Sequence, residues 1–275
     1  MKREVGLEQY FTSPKIAGAC VDLLMKYYNL EDFDYVIEPS SGDGAFAMYL
    51  TDKTITIDID PTRPAQLKMN FLNYVPPEGE GHILVVGNPP FGHRASQAFK
   101  FINHAATFCD VIAFVLPNSF HGTSFKNRIP EYFHEVTHMD VSGKWGENML
   151  NLSFFIYERQ NVARAKIIEQ TKHEDFDLHH AHLGWCDEQQ FKLYKDMYDF
   201  AISQVGNIKV KDLDKMAKKG SHFFVKENKP GVREVFEQMT FEGGSNAVHK
   251  SISKAEIIKQ YKYLTKETVD GIIEP

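Results

Sequence analysis

Short apolar runs alternate with helical patterns over about the first 160 residues, and this alternation constrains the fold more than any other feature of the chain. The runs are rich in β-branched residues and lie at 35–37, 54–59, 83–86, 111–116 and 152–157. Apolar residues at helical spacing predict a helix from Ser13-Pro14 to about Tyr28, and another between Ala98 and Phe108. Together these patterns predict an α/β fold, with a largely parallel, doubly wound sheet.

Composition excludes several classes of protein. The chain has 275 residues, of which 43% are hydrophobic and 25% are charged, so it is neither disordered nor collagen-like. Three cysteines are too few for a disulfide scaffold and are typical of a reducing compartment. We found no apolar run of membrane-spanning length and no signal peptide, so we expect a cytoplasmic protein, or one associated with a nucleoid or viral factory, and not a secreted one.

A glycine-rich turn follows the first apolar run, where ligands of parallel sheets bind. Its sequence, Glu-Pro-Ser-Ser-Gly-Asp-Gly-Ala-Phe at 38–46, differs from both the dinucleotide fingerprint and the P-loop. Gly42 and Gly44 permit a tight turn and close approach of a ligand to the backbone. Acids on both sides suit a ligand with a cationic end and no phosphates, and S-adenosylmethionine is such a ligand. The alternative is an ordinary strand-to-helix turn.

Two further segments follow the next runs. Asp58, at the end of the second run, is the better candidate to accept ribose hydroxyls, whereas Asp60 could cap a turn with Pro61. The third run is followed by Asn88-Pro89-Pro90-Phe91, in which the Asn88 amide and the Pro89 carbonyl are hydrogen-bond acceptors on a rigid turn. Two acceptors that hold both hydrogens of a planar exocyclic amine would favour its reactive, pyramidal form. An aromatic ring beside them suits stacking on a base.

In this order, the segments resemble the N6-adenine DNA methyltransferases that use S-adenosylmethionine, of the gamma type. The resemblance covers about residues 8–158 and includes Tyr-Phe-Thr at 10–12, the glycine turn, Asp58, Asn-Pro-Pro-Phe, Leu-Pro-Asn-Ser-Phe at 116–120 and the late aromatic strand. It implies a Rossmann-like methyltransferase fold with a seven-stranded sheet and a target adenine flipped out of the duplex. Two departures are Ser13, where the family often has Pro, and Asn70, where it often has Asp.

The resemblance also implies roles for individual residues. The expected catalytic residues are Asn88, Pro89, Pro90 and Phe91. The expected cofactor-binding residues are Tyr10, Phe11, Thr12, Glu38, Pro39, Ser40, Gly42, Gly44, Phe46, Asp58, Asn70 and Phe71, the last through contact with the adenine ring of the cofactor. The expected substrate-binding residues are Phe120, Phe154, Lys218 and Lys219.

The remaining third of the chain differs in charge. We expect a catalytic domain at 1–160 and a small basic extension at 161–275 that helps to recognise the target. Between 205 and 266 the chain has twelve Lys and one Arg against seven acids, although the whole chain has a formal net charge of −6. Lysines within this stretch are candidates to contact phosphates, and Phe223-Phe224 could wedge or stack. They are Lys209, Lys211, Lys215, Lys218, Lys219, Lys226 and Lys229.

The segment at 173–186 contains four His and one Cys, but its spacing matches no standard zinc pattern. We therefore expect an exposed polar segment and no metal. Three functional alternatives stay open: methylation of RNA, methylation of a protein glutamine amide, and a non-catalytic binding module derived from the enzyme. DNA is favoured over RNA because no RNA-binding module is visible. The oligomeric state is not predicted, and a partner chain could assist target recognition.

Overall fold

The computed structural model describes residues 11–60, 62–77, 81–145, 148–206, 208–241 and 251–265. The chain divides into two compact units, Met1–Ile167 and Ile168–Pro275. The boundary lies seven residues after the one that the sequence indicated. The second unit has its own sheet and its own hydrophobic clusters.

The first unit is built on a seven-stranded sheet with the order β3-β2-β1-β4-β5-β9-β6. Only β9 runs antiparallel to its neighbours, β5 and β6. A two-stranded ribbon, β7-β8, precedes β9. The strands of this unit are β1 Tyr35–Glu38, β2 Thr54–Asp58, β3 Leu67–Lys68, β4 Ile83–Gly87, β5 Val111–Pro117, β6 Phe133–Asp140, β7 Gly143–Trp145, β8 Asn148–Leu150 and β9 Leu152–Arg159.

Helices cover both faces of this sheet. Helix α1 (Pro14–Leu24) packs in the cluster that contains Val36 and Val86, whereas α2 (Ser96–Ala105) packs in the cluster that contains Ile37 and Val85. The third helix, α3 (Thr123–Lys126), has a single turn. Successive residues of a strand point to opposite faces, so the central strands are apolar throughout because both of their faces are buried. The prediction of a mostly parallel, doubly wound seven-stranded α/β sheet is confirmed.

The second unit contains a four-stranded sheet with the order β10-β13-β11-β12, in which all pairs are antiparallel. Apolar clusters lie on both of its faces, one with α5 and α6 and the other with α4. The elements are β10 Phe176–His182, α4 Glu188–Met197, β11 Phe200–Ser203, β12 Val210–Lys211, β13 Ser221–Glu227, α5 Val232–Gln238 and α6 Lys254–Thr265.

Two expectations for the second unit are wrong. The histidine-rich segment is not the exposed polar segment expected, because half of it forms β10, which pairs with β13 along seven residues, and His173 is buried. Phe223 and Phe224 are not available to wedge or stack, because they are 3% and 0% exposed and lie in the clusters on opposite faces of the sheet. Within the described ranges, every helix is too short or too polar to cross a membrane.

Candidate active site

A cleft opens at the carboxyl ends of β1 and β4, the edge of a parallel sheet at which ligands bind. It brings together three segments that are distant in sequence: the N-terminal segment, the glycine turn and the Asn-Pro-Pro-Phe turn. We call it the β1–β4 cleft. It is lined by Phe11, Thr12, Glu38, Ser40, Ser41, Gly42, Asp43, Ala45, Phe46 and Asn88.

The glycine turn is anchored to the end of β2 through Asp58. The Gly42 N–H donates to Oδ2 of Asp58 at 2.8 Å, and the Asp60 N–H donates to Oδ1 at 2.8 Å. Gly42 has a φ of 52° and Gly44 a φ of 81°, in the left-handed region that residues with a Cβ rarely adopt. Asp58 therefore has a structural role in the turn in addition to the ribose contact expected from the sequence.

Glu38 provides a buried carboxyl group at the floor of the cleft. It is 1% exposed and accepts hydrogen bonds from the backbone of Phe46 and Ala47. Its Oε2 atom is buried and makes no hydrogen bond within the described part of the chain. Burial, together with the nearby Asp58 carboxylate, raises the pKa of Glu38 to about 8. A cationic ligand bound beside Glu38 would favour the ionised form of this carboxyl group.

Asn88 is held by two hydrogen bonds to the other segments of the cleft. Its Nδ2 donates to Thr12 Oγ1 at 3.2 Å, and its backbone carbonyl accepts from Ser40 Oγ at 2.9 Å. The first bond ties the amide to the N-terminal segment, and the second joins the Asn-Pro-Pro-Phe turn to the glycine turn. The following Pro89 is buried and Pro90 is half-buried, so the turn is rigid in both sequence and packing.

Phe11 covers the outer side of the glycine turn. A Cβ added at Gly42 would lie 3.5 Å from the Phe11 ring, and the Arg63 guanidinium stacks on this ring at 4.6 Å. Arg63 also pairs with Asp43, so a cation links the aromatic ring to the turn. Arg63 was not identified from the sequence, since it lies outside every motif. The predicted cofactor residue Tyr10 lies outside the described residues.

The structure reduces the role of several aromatic residues that the sequence assigned to ligands. Phe71 is 1% exposed and its ring contacts Phe101 at 5.1 Å, so core side chains cover it where a contact with adenine was expected. Phe120 and Phe154 are both 0% exposed and belong to the clusters on opposite faces of the sheet, so neither can contact a substrate. Phe91 is 8% exposed, which leaves only part of its ring for stacking.

Other predicted cofactor residues have structural roles. Asn70 caps a short 3-10 helix, since its Oδ1 accepts from the Leu72 N–H at 3.0 Å. Pro39 is buried beneath the glycine turn. Neither residue lines the β1–β4 cleft.

The second predicted surface, the basic stretch of unit 2, contains several ion pairs. Lys218 pairs with Glu188 at 2.9 Å, and Lys226 pairs with Asp199 at 3.3 Å. Lys219 is exposed and makes no ion pair with the described residues. Across the described ranges, no three His, Cys, Asp or Glu side chains are arranged to hold a metal ion.

No protein-family model matches the chain, and no curated protein is similar to it in sequence. Several solved structures are similar in fold. A protein from Pyrococcus horikoshii, provisionally described as an RNA methyltransferase, aligns with a TM-score of 0.46 and 15% identity over 56% of this chain and 87% of its own. The M protein of the type I restriction enzyme EcoKI aligns with a TM-score of 0.44 and 16% identity over 56% of this chain and 44% of its own.

A third similar structure is magnesium protoporphyrin IX methyltransferase from Synechocystis PCC 6803 with bound SAM. It aligns with a TM-score of 0.42 and 11% identity over 54% of this chain and 79% of its own. At these scores and identities the three likenesses carry no argument about the reaction, so the function has to be inferred from the site itself.

Proposed function

We propose that this protein transfers a methyl group from S-adenosylmethionine to the N6 amine of adenine in DNA. The observation that carries the proposal is the pair of hydrogen bonds from Ser40 to Asn88 and from Asn88 to Thr12. They join the candidate cofactor turn, the candidate catalytic turn and the N-terminal segment at one cleft. The same three segments carry the sequence resemblance.

The acidic side chains of the cleft suit the cationic groups of the cofactor. Glu38 and Asp43 provide negative charge for its sulfonium and ammonium groups, and the buried Oε2 of Glu38 has an acceptor position to offer. Gly44 leaves the backbone open to a close approach, since a Cβ there would meet nothing within 4 Å, whereas the Phe11 ring lies against Gly42. When bound, S-adenosylmethionine supplies an electrophilic methyl group.

Asn88 and Pro89 supply the environment for the amine. The lone pair of an exocyclic amine is delocalised into the ring, so the nitrogen is a poor nucleophile. Acceptor oxygens from the Asn88 side chain and the Pro89 carbonyl would bind its two hydrogens and favour the pyramidal nitrogen. Because the methylated amine can lose its proton afterwards, positioning and electrostatics are sufficient and no strong base is needed.

In duplex DNA the target base has to leave the stack to reach this turn. Extrusion costs a few kcal/mol, which contacts in the pocket offset. With Phe120 and Phe154 buried, the contacts left for this task are the exposed part of Phe91 and the polar groups at the end of β5.

The substitution Asn88→Ala tests the proposal. We expect it to reduce the labelling of DNA by radioactive S-adenosylmethionine by at least about a hundredfold, because the acceptor that positions the amine is lost. Thermal stabilisation by the cofactor should persist, since Asn88 is assigned to the amine. Asn29→Ala, at a helix cap remote from the cleft, is the matched control.

Matched DNA and RNA oligonucleotides separate the alternatives in the same assay. Labelling of RNA alone would replace the proposed substrate by RNA, and labelling of a protein glutamine would replace it by a protein. A folded protein that gains no stability from the cofactor would be a binding module, and the enzymatic proposal would be wrong.

A further inference from the structure

Asn118 directly follows β5, the strand next to β4, which ends one residue before Asn88. The register pairs Gly87 with Phe114, and neighbouring strands are about 4.8 Å apart. Asn118 continues from β5 at the same edge of the sheet, where its N–H donates to the carbonyl of Asn151 at 3.0 Å. A base whose amine is held by Asn88 would extend along this edge. The side chain of Asn118 is half-buried there.

Two serines hold the Asn118 amide in one orientation. Ser153 Oγ donates to Asn118 Oδ1 at 2.8 Å, and Asn118 Nδ2 donates to Ser142 Oγ at 3.4 Å. Ser142 Oγ donates its own hydrogen to the carbonyl of Leu152 at 3.3 Å, so toward Asn118 it acts only as an acceptor. The nitrogen of the amide therefore has to face Ser142.

His121 lies on the other side of Ser153. Its Nε2 lies 3.0 Å from Ser153 Oγ. A hydroxyl has one hydrogen, and that of Ser153 goes to Asn118, so Nε2 of His121 carries a hydrogen and donates it. Ser153 is 1% exposed, which protects this chain of hydrogen bonds from water. The Ser142 contact thus sets the orientation of the Asn118 amide, and Ser153 and His121 continue the same chain of hydrogen bonds from its oxygen.

His121 is itself surrounded by groups that set its charge. Its ring lies edge-on to the His138 ring at 4.5 Å between centroids, and His138 Nδ1 bonds Glu135 Oε1 at 2.8 Å. Burial, and then the neighbouring His138, lower the pKa of His121. The neutral ring with a hydrogen on Nε2 is sufficient for the orientation described.

We propose that Asn118 recognises the target base by donating its second Nδ2 hydrogen to a ring nitrogen, and that Ser153 and His121 are positioning residues for it. The inference rests on the proposed function, because it takes the base to be held at Asn88. A fixed donor discriminates strongly, since a base without an acceptor leaves the donor unpaired. Phe120 and Phe154 are fully buried, so neither ring is accessible to the base and Asn118 offers it a polar contact.

Single-atom analogues of adenine test the contact. Oligonucleotides carry 1-deaza-, 3-deaza- or 7-deazaadenine at the target, in whichever nucleic acid the wild type labels. We expect one analogue to reduce kcat/KM of the wild type about tenfold and to reduce that of Asn118→Ala far less, because the variant has no donor to lose. Equal factors in both proteins for every analogue would overturn the inference.

The positioning residues have a separate readout. Ser153→Ala and His121→Phe should lower the sensitivity to the same analogue while cofactor binding changes little. His134→Phe is the control, because His134 is on β6 but its hydrogen bond goes to the carbonyl of Val162, not to Asn118, Ser153 or His121. If Ser153→Ala and His121→Phe keep the full sensitivity of the wild type, they do not position Asn118. If the wild type labels no nucleic acid, the proposed function itself is wrong.

Discussion

Glu38 combines two properties that oppose each other in an empty cleft. Its side chain is fully buried, and one of its oxygens makes no hydrogen bond within the described residues. The backbone bonds from Phe46 and Ala47 favour the ionised form, but burial dominates and raises the pKa to about 8. The residue therefore costs stability at neutral pH and is useful only when a cation binds beside it.

The substitution Glu38→Gln should expose this cost. In the folded protein the carboxyl keeps its proton up to about pH 8, whereas in the unfolded chain it ionises near its ordinary pKa of 4.5. Its contribution to stability is therefore fully present below about pH 4.5 and is lost as the pH rises toward 8. The wild type should therefore lose roughly 2–4 kcal/mol of unfolding free energy relative to Glu38→Gln as the pH rises from 5 to 8.

Urea unfolding of the cofactor-free protein at both pH values measures this difference. The exposed Glu31→Gln serves as a control for the loss of one carboxyl. Parallel pH profiles for Glu38→Gln and the wild type would show that Glu38 is ionised in the empty cleft. A smaller thermal shift with S-adenosylmethionine in Glu38→Gln is also expected, because the negative charge for the cation is removed.

The segment between the Asn-Pro-Pro-Phe turn and α2 is the most strained described element. Gly92, Arg94 and Ala95 have φ values of 69°, 51° and 58°, and no other non-glycine residue of the described chain has a positive φ. A Cβ at Gly92 would lie 2.7 Å from Cγ of Gln97. Strain of this kind persists where the surroundings hold it in place, here through hydrogen bonds to the carbonyl of Phe91 from the start of α2.

Two substitutions in this segment should destabilise the fold by unequal amounts. Gly92→Ala should lower the free energy of unfolding by roughly 1–3 kcal/mol, because it adds a Cβ both to a left-handed residue and to a crowded position. Ala95→Gly should cost less than about 1 kcal/mol, since glycine relieves the left-handed strain. Denaturant unfolding checks both. Equal destabilisation by the two substitutions would contradict the described backbone.

Sequence patterns predicted elements well where periodicity and capping agree. Ser13 caps α1 as expected, through a bond to the Ile16 N–H at 3.4 Å. The helix ends at Leu24 and not near Tyr28 because the next residues bond three positions back, from Lys26 to Leu23 and from Tyr27 to Leu24. Such bonds tighten the last turn into a 3-10 form that apolar spacing does not reveal.

Strands at the margins of the sheets were not predicted. β6 is an edge strand with His, Glu and Thr among its residues, so it lacks the apolar run that marks a central strand. β10 is also an edge strand and is rich in His for the same reason. The assignment of Phe154 to the substrate was wrong because β9 is a central strand, not an edge strand. Both faces of β9 are covered, so Phe154 and Phe155 are equally buried and spacing cannot indicate which faces a ligand.

Charge is distributed differently over the whole molecule than along the sequence. Residues 168–275 contain 16 Lys and Arg against 18 Asp and Glu, so the second unit has no net positive charge despite its basic stretch. The acids at 174–199 supply the partners, as in the pairs of Lys218 with Glu188 and Lys229 with Asp175. The stretch at 205–266 does contain an excess of lysine, but acids elsewhere in the same unit compensate its charge.

This compensation limits the expected contribution of the stretch to nucleic-acid binding. If it contacts phosphates, the double substitution Lys218→Gln and Lys219→Gln should reduce the slope of log affinity against log salt by about one, because Lys218 is engaged by Glu188 while Lys219 is exposed. Binding titrations at several salt concentrations measure the slope, with Lys53→Gln in the first unit as control. An unchanged slope would place the phosphate contacts elsewhere.

The sequence indicated that the glycine turn and the Asn-Pro-Pro-Phe turn form one site, because both follow parallel strands whose carboxyl ends meet at one edge of the sheet. It indicated the N-terminal segment only through the family resemblance. It did not identify the Arg63 contact with Phe11 or the hydrogen bonds among Asn118, Ser153 and His121. These depend on loops and on an antiparallel strand whose register no local pattern sets. The site is therefore predictable at the level of segments but not at the level of its supporting side chains.

The chemical identity of the methylated product tests the central claim most directly. DNA incubated with the protein and isotopically labelled S-adenosylmethionine is digested to nucleosides, which are separated and analysed by mass spectrometry. We expect the label in N6-methyladenine, and at least about a hundredfold less of it with Asn88→Ala. Label in cytosine, in RNA only, in protein only or in no product of a folded sample would contradict the assignment.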